Sequence, residues 1–138
     1  MRILLAPIGF PGSGKTKFYD KISRIIKLGY VDMDAYKGQE LSEVLTEVLK
    51  TPGDLYLDGL FLTKKTQNIL LDYGVEFIYF DITREQCIIN DLQRNRTLKC
   101  TSIINNAQLN KPDKKDIFIE IKGPEWNITQ YIYKTHSN

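Results

Sequence analysis

Gly9-Phe10-Pro11-Gly12-Ser13-Gly14-Lys15-Thr16 fits the pattern G-x-x-x-x-G-K-[ST], and its residue types suit one task, the cradling of phosphate. Gly9, Gly12 and Gly14 let backbone N–H groups converge on phosphate oxygens where a Cβ would intrude, with Pro11 and Ser13 in the same loop. Lys15 can reach the outer phosphates as a point charge, and the Thr16 hydroxyl can ligate Mg²⁺. The loop follows the apolar run Ile3-Leu4-Leu5-Ala6-Pro7-Ile8 and leads into a helix whose positive end faces the same anions. Strand, loop and helix in that order predict a site for ATP, or another nucleoside triphosphate, with magnesium.

In open parallel sheets ligands gather at the carboxyl ends of strands, and Asp32, Asp34, Asp58 and Asp81 fall at or near such ends. Asp58 closes Leu55-Tyr56-Leu57, where an acid can hold the magnesium water shell or orient a neighbour. An acid at Asp34 could accept the proton of an attacking hydroxyl; Asp32 competes for that role, and Asp34 is preferred. Asp81 is expected to cap the helix opening near Arg84. Arg94, Arg96 and Lys99 form a basic connection, about 94–100, that reads as a lid whose arginines neutralise the transferring phosphoryl group. Between Arg24 and Arg84 there is no arginine, so a bidentate grip on an acceptor phosphate is missing there. The acceptor is therefore expected to be a hydroxyl rather than a phosphate.

Strands and helices alternate, which predicts an α/β three-layer fold with a five-stranded, mostly parallel sheet. The expected strands are Arg2–Ile8, Tyr30–Asp32, Leu55–Asp58, Glu76–Asp81 and Ile117–Ile121. Helices are expected over Lys15–Lys27 (closed by Gly29), Gln39–Lys50, Lys64–Tyr73 (capped by Gly74), Arg84–Gln93 and, as a short piece, Thr101–Asn110. The stretch from Trp126 to Tyr133 fits a strand or a helix. Tyr36, Tyr56, Tyr73 and Tyr79 read as core or groove wall, and His136 as inert.

At 138 residues the chain has room for one domain, 1–138. A net charge of +2 does not by itself mark a nucleic-acid binder. The surplus is uneven, however: residues 84–138 carry nine Lys/Arg against six Asp/Glu, and residues 1–83 ten against eleven. Cys87 and Cys100 lack metal-type spacing; Cys87 reads as helix packing. No apolar run reaches membrane length, and the chain opens on a strand without a leader, so a soluble cytoplasmic protein with no membrane partner is expected. The oligomeric state is open.

The loop, Asp34-Ala35-Tyr36-Lys37, Asp58-Gly59, Phe80-Asp81-Ile82-Thr83, Asn90-Asp91-Leu92-Gln93-Arg94 and Leu109-Asn110-Lys111-Pro112 together resemble a small phage-type P-loop kinase of the 5′-polynucleotide kinase and zeta-toxin family, over roughly residues 2–122. The resemblance implies a general-base aspartate at Asp34, an acceptor contact at Lys37, acceptor-side roles for Asp32 and Asp58, Arg94 on the transferred group and Arg96 on the nucleotide. Lys37 replaces the family's arginine, a looser contact. Asn90-Asp91 stands where the family has Arg-Asn, which implies one lid contact fewer. The function implied is Mg-ATP-dependent transfer to a hydroxyl, with a polynucleotide 5′ end as preferred acceptor, in a host cytoplasm if the chain is phage-encoded. The alternatives are a small-molecule hydroxyl kinase (nucleoside, sugar or nucleotide-sugar) and a non-catalytic nucleotide-binding regulator.

Overall fold

The computed structural model describes residues 2–93, 103–104 and 108–112, and the backbone of 117–122. In chain order the elements are β1 (Leu4–Ile8), α1 (Lys15–Ile22), β2 (Gly29–Asp32), a single 3₁₀ turn (Met33–Tyr36), α2 (Leu41–Val48), β3 (Leu55–Asp58), α3 (Lys64–Asp72), β4 (Glu76–Asp81), α4 (Arg84–Gln93) and β5 (Ile117–Lys122). The five strands form one sheet in the order β2-β3-β1-β4-β5, and every neighbouring pair is parallel. β1 is central, as expected of a strand apolar at every position and buried throughout. Its Pro7, which cannot donate to a ladder, lies beyond the last β1–β3 pair, Leu5 with Tyr56.

Strand side chains alternate between the two faces, and each face has its own core. Leu4, Ala6 and Ile8 of β1 pack with Leu55, Leu57, Phe77 and Tyr79 against Val44, Leu45 and Val48 of α2 and Leu70 of α3. Leu5, Tyr56, Ile78 and Phe80 pack on the opposite face against Phe18 and Ile22 of α1. A smaller cluster of Phe10, Cys87 and Ile104 ties the phosphate-type loop to α4, in keeping with the packing role expected of Cys87. The α/β three-layer architecture is therefore the one the alternation predicted.

Several boundaries differ from expectation. α1 ends at Ile22 rather than Lys27, because the chain then tightens through turns in which Arg24 N–H bonds Lys21 O and Ile25 N–H bonds Ile22 O. Gly29 does not cap that helix; it opens β2, its N–H donating to Asp54 O at 2.9 Å. Gly74 does close α3, with paired bonds from Gly74 N–H to Leu71 O and from Val75 N–H to Leu70 O. α4 is capped by Thr83, whose hydroxyl accepts from Gln86 N–H at 3.1 Å, and not by Asp81. Ile103 and Ile104 are helical, but Gln108–Pro112 is not, since Asn110 spends its N–H on Leu62 O at 2.8 Å instead. Arg94, Arg96, Lys99, Cys100, the stretch Trp126–Tyr133 and His136 lie outside the described residues.

Candidate active site

The loop between β1 and α1 is shaped at its two left-handed glycines. Gly12 has φ +86°, and a Cβ there would stand 2.4 Å from the carbonyl oxygen of Cys87. Only glycine lets the loop lie that close to the α4 backbone. Gly14 has φ +101° and stands at the start of α1, with nothing within 4 Å of where its Cβ would be. It supplies no side-chain cap to the helix, whose first N–H groups have no earlier helical carbonyl to bond. The Ser13 hydroxyl, on a residue only 6 % exposed, has no hydrogen-bond partner among the described residues. An uncapped helix start, an open space over Gly14 and an orphaned buried hydroxyl suit the triphosphate of a nucleotide.

Lys15 is buried and Thr16 exposed on the first turn of α1. Both line an open cleft of about 510 Å³, together with Pro11, Gly12, Asp34, Lys37 and Asp58. Gly9 sits below, packed against Ser13 and Phe80. The sheet accounts for this convergence: the ends of β1 and β3 and the 3₁₀ turn after β2 all lie at one edge. A second cavity of about 310 Å³ shares Met33, Asp34, Lys37 and Leu60 with the first and continues past Tyr36 toward Leu41, Val44 and Phe61. Asp34 and Lys37 thus stand at the junction of the two.

The aspartates separate by geometry. The Asp32 carboxylate accepts the Asp34 N–H at 3.1 Å and caps the 3₁₀ turn. It does not line the cleft, whereas Asp34 does. Asp58 accepts a short hydrogen bond from the hydroxyl of Tyr30. Tyr30 stacks on Tyr56 at 6.2 Å and meets Tyr19 edge-on at 4.9 Å. The Tyr56 hydroxyl, buried, donates to the main-chain carbonyl of Lys15 at 2.9 Å. Burial first, then the bond to Asp58 and the charges of Asp58, Asp32 and Asp34, push the Tyr30 phenol well above the usual tyrosine range, so it stays a donor.

Two contributors carried no local sequence signal. Tyr30 reaches Asp58 because β2 and β3 pair Tyr30 with Tyr56 and Asp32 with Asp58, a register unreadable from either strand alone. Asn90, noticed only as a missing arginine, donates to the Gly12 carbonyl at 2.8 Å. Of the tyrosines read as core or groove wall, Tyr56 and Tyr79 are core, Tyr73 packs partly buried against it, and Tyr36 lines the second cavity. No described helix is long and apolar enough to cross a membrane.

No family model matches the chain, and no curated protein matches it by sequence. Solved structures do. A sugar kinase from Janibacter sp. HTCC2649 superposes with a TM-score of 0.76 at 16% identity, over 98% of this chain and 92% of that one. A gluconokinase from Sinorhizobium meliloti 1021 gives 0.68 at 12% identity, over 97% and 90%. Shikimate kinase from Acinetobacter baumannii, in complex with shikimate, gives 0.63 at 12% identity, over 100% and 97%. At such identities the likeness is one of fold, and the fold is the one these three kinases share with the chain.

Proposed function

We propose that the protein is a magnesium-dependent kinase that transfers the γ-phosphoryl group of ATP, or another nucleoside triphosphate, to a hydroxyl of a small molecule. The observation that carries this reading is that Lys15 and Thr16 of the glycine-rich loop line one cleft with Asp34 and Lys37. Asp34 takes the proton of the acceptor hydroxyl, the freed oxygen bonds to the γ-phosphorus, and the bond from that phosphorus to the β,γ-bridging oxygen breaks to release the diphosphate. Lys15 offsets charge on the transferred group. Thr16, and Asp58 through water, would hold magnesium, which neutralises the phosphates when bound. Among the described residues no group of three or more His, Cys, Asp or Glu forms a ready cage, so such an ion would draw most of its ligands from phosphate and water. Arg94 and Arg96, the cations expected on the transferred group and the nucleotide, lie outside the described residues.

The acceptor's body would occupy the second cavity, which meets the cleft at Asp34. Two features favour a small molecule over the polynucleotide 5′ end implied by the sequence resemblance. Among the described residues, the titratable side chains lining the cleft are two lysines and two aspartates, which balance in charge. The structural neighbours bear the names of sugar, gluconate and shikimate kinases.

Incubation with labelled ATP and a panel of sugars, sugar acids, nucleosides and 5′-hydroxyl oligonucleotides tests the reading. Label is expected on a small polyhydroxy acceptor with a KM that changes little between about 50 and 200 mM salt. Label confined to oligonucleotides, with a KM rising steeply over that range, would restore the polynucleotide reading. ATP bound but left intact with every acceptor would leave a nucleotide-binding regulator.

A further inference from the structure

The described part of the phosphate loop is held from outside by α4. The carbonyl of Gly12 accepts from Asn90 Nδ2 at 2.8 Å, and the N–H of the same peptide unit, on Ser13, donates to Phe10 O at 3.1 Å. That peptide is therefore pinned at both ends. The Asn90 amide is itself oriented, because its Oδ1 accepts from Gln86 Nε2 at 2.9 Å one turn earlier on α4. With Oδ1 so engaged, the amide presents its N–H₂ to the loop and cannot turn without breaking two bonds. The Cys87 carbonyl lies so close to Gly12 that nothing larger than glycine fits between loop and helix. Phe10 packs against Cys87 and Ile104 on the same side.

A carbonyl turned toward bound phosphates would oppose them, whereas one tied to α4 leaves the loop's N–H groups as the surface the anion meets. We infer that Asn90 is a positioning residue for the nucleotide, holding the Gly12 carbonyl away from the phosphates, with Gln86 fixing the orientation of its amide. The inference rests on nucleotide binding at this loop, and it gives Asn90 a task of its own rather than a lost lid contact. Because the loop is set before ligand arrives, the effect falls on nucleotide affinity more than on the chemical step.

The test is calorimetric titration of MgATP into the full chain and its variants, with steady-state kinetics alongside. Asn90→Ala and the isosteric Asn90→Asp, which keeps an oxygen for Gln86 but cannot donate to Gly12, should each weaken MgATP binding by roughly three- to tenfold, the worth of one hydrogen bond. Gln86→Ala should weaken it less, and kcat at saturating ATP should stay near that of the parent. Ile89→Gly, on the exposed face of the same helix, should lower helix stability without moving the ATP dissociation constant. MgATP bound as tightly by both Asn90 variants as by the parent overturns the inference, as does a fall in kcat with unchanged affinity. Should Asn90→Ala fail to fold, Asn90→Asp and Gln86→Ala decide the matter. A parent that does not bind MgATP refutes the nucleotide reading itself, which is a separate result.

Discussion

Replacing Gly12 and Gly14 by alanine, one at a time, separates the part of the loop that holds the fold from the part that meets the ligand. Both residues have positive φ, +86° and +101°, so each alanine carries left-handed strain of about 1–2 kcal/mol. The two then diverge. A Cβ at Gly12 would stand 2.4 Å from the Cys87 carbonyl oxygen and 3.2 and 3.3 Å from two more backbone atoms of that residue, while Gly14 has open space. Backbone cannot swing aside as a flexible side chain can, so the loop must lift from α4 and loosen its bond to Asn90, which adds about 1–3 kcal/mol. For a chain of 138 residues, an unfolding entropy of about 2.1 cal/mol/K per residue makes each kcal/mol worth about 3–4 °C. Gly12→Ala is thus expected to melt about 7–17 °C below the parent and Gly14→Ala about 3–7 °C below. MgATP binding should rank them differently, because the space over Gly14 is where phosphate would lie: Gly14→Ala stays folded yet loses the ligand. Differential scanning calorimetry gives the first comparison and titration calorimetry the second. Equal melting temperatures, or a Gly14→Ala variant that binds MgATP like the parent, would refute the reasoning.

Lys15→Ala should lower turnover by about a hundredfold or more while leaving the circular dichroism spectrum unchanged, since the Tyr56 hydroxyl bonds the Lys15 main chain and not its side chain. Asp34→Asn should lose most of kcat yet retain ATP affinity, whereas Asp32→Asn, which keeps an oxygen for the Asp34 N–H, should stay near parental activity. Kinetics on both variants check this, and an inactive Asp32→Asn beside an active Asp34→Asn reverses the assignment. Tyr30→Phe removes a donor whose folded-state pKa is raised, so the bond's contribution is present below the ordinary tyrosine value of about 10 and lost as pH climbs through the higher folded value. Urea unfolding of parent and variant should therefore show a gap that is flat up to about pH 10 and narrows above it, and a gap that widens there contradicts the hydrogen bond to Asp58.

Elements bounded by strong local signals were legible as spans. β3 and β4 run between the residues expected and α4 opens where expected, because each of these boundaries has a turn or a capping residue within a few positions. α1 was not, because Ile25 and Ile26 continue an apolar pattern past the end of the helix, although Ile25 is 54 % exposed and only Ile26 packs against the core. Periodicity reports which face is apolar and not where the hydrogen-bond ladder stops. Asp81 misled for a related reason. It and Thr83 both precede α4 and both can cap, and only the distance from Thr83 to the N–H of Gln86 decides between them.

The candidate site divides along the same line. The loop between β1 and α1 was legible as a candidate phosphate site because its residues are contiguous: eight of them set turn, charge and hydroxyl in order. Asp32 and Asp34 were ambiguous because strand and turn periods meet between them. A tight 3₁₀ turn, not an extended strand, follows Asp32 and makes it a cap, leaving Asp34 in the cleft. The bonds from Tyr30 to Asp58 and from Asn90 to Gly12 span 28 and 78 positions and depend on how separate elements pack. They act on two parts of the cleft lining, one on the acid Asp58 and one on Gly12 of the loop. The groups that would contact substrate are thus written locally, while the groups that hold them in place are written by packing. Asn90 illustrates the difference: against a family pattern it reads as an arginine lost, and against Gly12 it is a donor gained.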